Sequence, residues 1–518
     1  MIKIKFRDKA YGNKVYALIK AFYPNVEMRQ MMVPKQVSFL ALEFVDVLEP
    51  RSCQEACFSL LEKDFSTFLR VEKLVTGIEI HFSYENLTEV YDCLMLLSGY
   101  SLPWGILTGV RPTKLAYRGL ERGLSLEEVI ADLQNNYKVS IEKANLAVHV
   151  ANREREIIRD FKTDSGFSLY VGIPFCPGIC HYCSFSSGAI QDYKDKTDDY
   201  VAALCEEIIA ISNVMRCDRT DRKNLAKSIN EYVVENLEKE KGFKLQTIYI
   251  GGGTPSSLSV AQLQRILETI VHHFSMEHVR EFTVELGRAD TISKELLELL
   301  QAYSVSRISI NPQSMQQKTL DRIGRNHTVA QVKEAFYLAR SLGFHNINMD
   351  IIVGLPGETL TDLENTMEQV KVLAPDSITV HTLALKRGSQ EAKAIQNKQS
   401  MRKEKESNEI AKMLAHCVHI CQEMGLFPYY LYRQKHIKGN YENVGYAKVD
   451  KAGIYNILIM EEQQSIFAAG AGAITKLVRQ EVDAKSNIYR LENVKNIDIY
   501  INTIKDIIEQ KKELTLWL

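Results

Sequence analysis

Cys176, Cys180 and Cys183 fall in the run Tyr170-Val-Gly-Ile-Pro-Phe-Cys-Pro-Gly-Ile-Cys-His-Tyr-Cys-Ser-Phe185, spaced C-x3-C-x2-C. Thiolates are the soft ligands that iron–sulfur clusters take. Three of them in one loop can hold three irons of a four-iron cluster. The fourth iron is then open to bind and reduce a small molecule. Structural zinc uses four ligands, often as two separated pairs. His181 lies between Cys180 and Cys183, where it is cramped as a fourth ligand, so zinc or a redox thiol is the weaker alternative. Pro174, Pro177 and Gly178 favour an irregular loop. Phe175, Tyr182 and Phe185 can shield a cluster from water.

Further polar residues fall near predicted strand ends. Gly251-Gly-Gly-Thr-Pro255 lets backbone approach a ligand closely, or simply turns a strand into a helix. Glu285, Gln313, Arg325 and Asp350 follow other strands. A carboxylate there can accept from ribose hydroxyls or an amino group, and an arginine can hold a carboxylate bidentately. Each alone is more often a structural hydrogen-bonder or a surface charge; their joint placement makes them site candidates.

The elements that must position these residues are legible as an alternation. Strands are expected at 168–173, 246–250, 282–286, 307–310, 347–353 and 377–383. Helical periodicity fills the gaps, for example Leu263, Ile266, Leu267 and Ile270 on one face of 260–274. Ser293 is a predicted N-cap. Six strands joined by helices imply a parallel sheet, because parallel neighbours need crossovers. In such folds the carboxyl ends of the strands carry the site. The fold class is α/β: a partial six-unit barrel over 161–385, an α+β domain over 1–160 and a mixed C-terminal domain over 386–518. The stretch 216–244 reads as a charged, solvated insertion.

The chain has 518 residues, 45% hydrophobic and 25% charged, with formal net charge −1. Two or three domains fit that length. The charge balance gives no general pull toward nucleic acid or an anionic membrane. No signal-peptide layout or spanning apolar run is present, so the chain reads as cytoplasmic. Ten cysteines in 518 residues is not the density of a disulfide-stapled module. Cys53 with Cys57, and Cys417 with Cys421, are four apart on helical stretches and read as packing residues.

The loop from Tyr170 to Cys183, followed by Gly251 to Pro255, resembles the radical S-adenosylmethionine (SAM) superfamily. The later motifs resemble its oxygen-independent coproporphyrinogen III oxidase family, and the whole length is most similar to the HemZ-like branch. The resemblance implies a [4Fe–4S] cluster on Cys176, Cys180 and Cys183, with SAM on the open iron. HemN-type members of the family hold a second SAM. Carried over by motif, the first SAM meets Tyr170, Gly252, Glu285, Ala384 and Ile474. The second meets Tyr182, Gly253, Thr254, Gln313, Arg325 and Asp350. Two departures stand out: Phe185 replaces a fourth cysteine of HemN-type members, and Gly172 replaces a histidine.

The implied reaction is radical decarboxylation of two propionates of coproporphyrinogen III to vinyls, giving protoporphyrinogen IX. The tetrapyrrole is then the partner, with a flavodoxin- or ferredoxin-type electron donor. Its four carboxylates call for cations. Arg433, Lys435 and His436 in Tyr429-Tyr-Leu-Tyr-Arg-Gln-Lys-His436 are candidates, as are Arg111 and Lys114; ordinary surface charge over buried aromatics is the competing explanation. The rival functions are a haem-binding chaperone of the same superfamily, a radical SAM enzyme for another substrate, and a zinc-binding interaction protein.

Overall fold

The computed structural model describes residues 1–32 apart from 7, 24 and 25; 40–45; 69–82 apart from 75 and 76; 86–161 apart from 110 and 160; 166–216 apart from 184–186; 243–384; 403–479 apart from 435 and 436; and 487–514. Cys53, Cys57, Phe185, Lys435, His436 and most of the 216–244 stretch lie outside the described residues. The chain divides into two interleaved units. One comprises Met1–Arg153, Thr382–Lys412 and Leu431–Asn443; the other comprises Glu154–His381, Met413–Tyr430 and Val444–Leu518.

The second unit is built on six strands in sequence order: β1 (Gly166–Ile173), β2 (Lys244–Gly252), β3 (Glu281–Leu286), β4 (Arg307–Ile310), β5 (Ile347–Val353) and β6 (Ser377–Thr382). Neighbours from β1 through β5 pair in parallel. Their residues are buried almost without alternation, as expected where both faces of a parallel sheet are covered. Each expected strand is present within two residues of its predicted bounds.

The crossover helices obey their local signals. Val260–His273 buries Leu263, Ile266, Leu267 and Ile270, and starts with a reciprocal Ser259/Gln262 cap. Val329–Ser341 and Leu360–Leu373 start with the same device, at Thr328/Gln331 and Thr359/Asp362. The side chain of Ser293 caps Lys294–Ala302. Such a cap contributes about 1 kcal/mol.

Strands downstream of the barrel extend its sheet. Strands β7 (Phe427–Tyr432), β8 (Asn443–Ala447), β9 (Ser465–Ala469), β10 (Ile474–Arg479) and β11 (Asn487–Glu492) join the barrel sheet, in the order β7-β8-β6-β5-β4-β3-β2-β1-β9-β10-β11. β9 runs parallel to β1, with Ala468 opposite Tyr170, and β8 runs antiparallel to β6. Their backbone hydrogen bonds are made in that sheet.

In the first unit, Ile2–Phe6 pairs in parallel with Met28–Met32 and antiparallel with Leu40–Val45. Gly77–Phe82 and Leu69–Leu74 complete a five-stranded sheet. Ile2, Ile4 and Phe6 alternate with lysines and pack on Val15, Leu18 and Ile19 of the helix Lys9–Phe22 and on Val90 and Leu94 of Leu87–Ser98. This is the α+β layer expected at the N-terminus.

Cys417 and Cys421 are buried on the helix Lys403–Glu423. Burial pushes the Cys417 thiol up to about 12. Both are packing residues, as their spacing suggested. Among the described residues, no helix is long and apolar enough to cross a membrane.

Candidate functional site

The site forms where β1 ends. Its last residues, Gly172 and Ile173, pair with Gly251 and Gly252 of β2. The chain then enters the cysteine loop through the short strand Phe175–Cys176. Two backbone bonds bind the glycine loop to it: Gly253 N–H donates to the Ile173 carbonyl and Thr254 N–H to the Phe175 carbonyl, both at 2.7 Å. Gly252 has φ of 108°, a left-handed conformation that favours glycine. A Cβ on Gly253 would lie 2.4 Å from the Phe175 carbonyl oxygen. The glycines therefore serve first to let two backbones touch.

Three strand ends supply donors to the thiols. Thr254 Oγ1 reaches Cys176 Sγ at 3.6 Å. Arg288 Nη1, just beyond β3, is 3.8 Å from Cys180 Sγ, and Arg325 Nη1 is 3.9 Å from it. Arg325 also donates to the Tyr182 hydroxyl at 3.0 Å and to the carbonyls of Asn311, at 2.7 Å, and Gly287. The loop is tied to the segment after β4 as well: His181 N–H donates to the Ile323 carbonyl, and its Nδ1 is 3.0 Å from the Arg322 carbonyl.

Glu285 ends β3 beside Gly251 and accepts from the Tyr249 hydroxyl. Burial raises its pKa to about 7; the neighbouring Asp350 adds to the rise, while Tyr249, Arg307 and the Gly252 N–H oppose it. Tyr170 and Tyr455 both stack on Tyr249, with ring centroids 6.2 and 4.5 Å away. Asp350, on β5, accepts from Asn348 Nδ2 at 2.7 Å and lies 3.5 Å from His381 Nε2. These partners hold its carboxyl below the usual range against the opposing cost of burial.

Gln313 is held at φ of 66° by a bridge to β5: its N–H donates to the Asp350 carbonyl and its own carbonyl accepts from Ile352. Ile474 opens β10 and is exposed, one residue after the Gly470–Ala473 turn. Ala384 belongs to the first unit, where it bridges Ile437. Sequence reasoning missed Tyr249, Arg288, Asn311, His381 and Tyr455. Only Arg288 and Asn311 carried a signal, because each follows a strand end.

The surroundings fit a cluster with a polar ligand. Ser309 Oγ, Asn311 Oδ1, Gln313 Oε1 and Arg325 Nε are buried without a hydrogen-bond partner. Such atoms are costly unless something satisfies them. Among the described residues, no three His, Cys, Asp or Glu side chains converge on a single ion. A four-iron cluster has no need of that convergence, since its cysteines bind separate irons.

The profile of the Radical SAM superfamily matches residues 170–370. The oxygen-independent coproporphyrinogen-III oxidase-like protein HemZ of Bacillus subtilis (strain 168) is 39% identical over 404 residues, covering 78% of this chain and 74% of the relative. The chain belongs to this oxygen-independent coproporphyrinogen III oxidase-like family within the radical SAM superfamily. The heme chaperone HemW of the same organism is 34% identical over 217 residues, 42% of this chain and 50% of the chaperone. Among solved structures, coproporphyrinogen III oxidase (HemN) from Escherichia coli aligns with TM-score 0.45 and 20% identity over 68% of this chain and 79% of its own. The cofactors of the family are a [4Fe–4S] cluster and SAM.

Proposed function

We propose that this chain is a coproporphyrinogen dehydrogenase-type oxidoreductase that converts two propionates of coproporphyrinogen III to vinyls, giving protoporphyrinogen IX. The observation that carries the reading is the gathering of the cysteine loop, the glycine loop, Glu285, Gln313, Arg325 and Asp350 at the carboxyl ends of one parallel sheet. Similarity over three quarters of the HemZ relative supports it.

When bound, the cluster and SAM supply one-electron chemistry that removes a hydrogen atom from a propionate side chain. Cys176, Cys180 and Cys183 would ligate the cluster. Tyr170, Gly252, Glu285, Ala384 and Ile474 would contact one SAM. Tyr182, Gly253, Thr254, Gln313, Arg325 and Asp350 would contact a second. Glu285 would accept hydrogen bonds from a ligand amino group, and the tyrosine stack beside it would keep water out. Electrons would come from a flavodoxin- or ferredoxin-type donor.

One substrate candidate is withdrawn. Arg433 is buried, and its guanidinium donates to the carbonyls of Leu107, Asn440 and Tyr441. With the Asn440 side-chain oxygen taking a further bond, most of its donors are already spent. Arg111 and Lys114 stay candidates, half-buried at the start of the helix Thr113–Glu121. Lys435 and His436 lie outside the described residues.

The test is anaerobic incubation with SAM, reductant and coproporphyrinogen III, repeated with Cys176→Ala, Cys180→Ala and Cys183→Ala. Protoporphyrinogen formed by the unaltered chain and lost in all three variants is the expected outcome. Tight haem binding without porphyrinogen turnover would instead support the chaperone reading, which the HemW similarity favours. Deoxyadenosine without porphyrinogen consumption would direct the search to another substrate.

A further inference from the structure

We propose that Arg288 is a tuning residue for the cluster: clamped by Asp290, it holds positive charge against Cys180 and makes the cluster easier to reduce. This rests on the reading of Cys176, Cys180 and Cys183 as cluster ligands.

Arg288 is 2% exposed. A buried guanidinium needs partners, and those of Arg288 divide its two ends. Nε and Nη2 face the Asp290 carboxylate at 3.2 and 3.4 Å. Nη1 faces the cysteine loop, 3.4 Å from the Gly178 carbonyl and 3.8 Å from Cys180 Sγ. Asp290 is in turn 3.5 Å from Nδ1 of buried His327. The clamp fixes which way the free edge of the guanidinium points.

The environment of the loop is uneven as a result. Cys176 meets the neutral hydroxyl of Thr254. Cys180 meets two guanidinium groups. Arg325 divides its donors among Tyr182, Gly287 and Asn311 as well, whereas the loop-facing nitrogen of Arg288 meets, among the described residues, Gly178 and Cys180. Reduction adds negative charge to the cluster and its thiolates. Net charge, hydrogen bonds to sulfur and solvent exposure set the potentials of such clusters. A water-excluded cation beside one thiolate favours the reduced form, because Coulomb interactions are strong where water is absent.

The experiment is an EPR-monitored redox titration, without SAM, of the anaerobically reconstituted full chain and of Arg288→Met, Arg288→Gln and Arg288→Lys. Iron and labile sulfide are measured on each. The expected result is a full cluster in Arg288→Met with its reduction equilibrium shifted about tenfold toward the oxidised form, about 59 mV for one electron. Arg288→Lys restores part of the shift. If Arg288→Met does not retain iron, Arg288→Gln, which can keep the Gly178 contact, is read in its place. An unchanged potential in an iron-replete neutral variant overturns the proposal, as does failure of both neutral variants to hold iron, which would make Arg288 a scaffold only. An unaltered chain without about four irons and labile sulfide breaks the cluster assignment instead, so the two failures are distinct.

Discussion

Arg325 and Arg433 are each 4% exposed, and the sequence suggested a ligand role for both. Their surroundings differ. Arg433 spends its guanidinium on the carbonyls of Leu107, Asn440 and Tyr441, and burial pushes it down to about 10. Arg325 keeps its Nε without a partner and faces Tyr182 and Cys180. Burial lowers it too, but those two neighbours outweigh burial and its pKa rises. A buried cation whose donors go mostly to backbone is scaffold. A buried cation with an unsatisfied donor among other unsatisfied atoms is prepared for something that binds.

The same contrast defines a second scaffold, and it carries the largest expected effect. Glu207 and Lys511 are fully buried and 3.3 Å apart. Glu207 accepts from the Gly470 N–H, Asn493 and the Tyr500 hydroxyl. Lys511 donates to the Ala468 carbonyl and to Thr475. Together they fix the turn after β9. Glu207→Ala leaves buried Lys511 without its counter-ion, and should destabilise the protein by about 3–5 kcal/mol. Denaturant unfolding measures it; a loss under 1 kcal/mol would show that the network is relaxed by water and that saturation is a poor marker of scaffold.

The two arginines then separate by which property each loses. Arg325→Met should reduce kcat/KM for SAM by at least about thirtyfold, since removing one member of a buried charged contact costs about 2 kcal/mol or more. Arg433→Met should leave the kinetics of folded protein near those of the unaltered chain. Its loss appears in stability, about 1–3 kcal/mol, because buried carbonyls lose their donor. Steady-state kinetics and thermal melts on both variants check this together. Exchanged outcomes would reverse the assignment of scaffold and site.

Much of this contrast was beyond the reach of sequence. Strand ends were legible because strands and helices alternate with clean periodicity and caps, as at Ser259 and Thr328. That legibility reached Glu285, Gln313, Arg325 and Asp350, which lie in or after those strands. The partners of Arg433 were not legible, since the Leu107 carbonyl comes to it only through tertiary folding. The same holds for Tyr455, which reaches the Tyr249 ring from a helix two hundred residues onward, and for β9, whose parallel place beside β1 depends on register across the sheet. Local pattern names an element; it does not say which donors remain unspent.

Glu285 gives the smallest and most selective test. Its pKa in the folded chain is about 7, against an ordinary value of 4.5. The folded state therefore binds its proton more tightly than the unfolded state does. The sign follows: its contribution to stability is full below pH 4.5 and is lost as pH rises through 7. Ligand binding runs the other way. The amino N–H groups of SAM need an ionised carboxylate as acceptor, so affinity should fall by up to about tenfold per pH unit below 7. Tyr249, Asp350 and Arg307 face the same carboxyl and hold the midpoint near there. Anaerobic calorimetry of SAM binding from pH 6 to 8 measures the slope. Glu285→Gln should bind more weakly and flatten the profile. A profile of equal slope in that variant would move the titrating group elsewhere, and Glu285 would join Arg433 as scaffold.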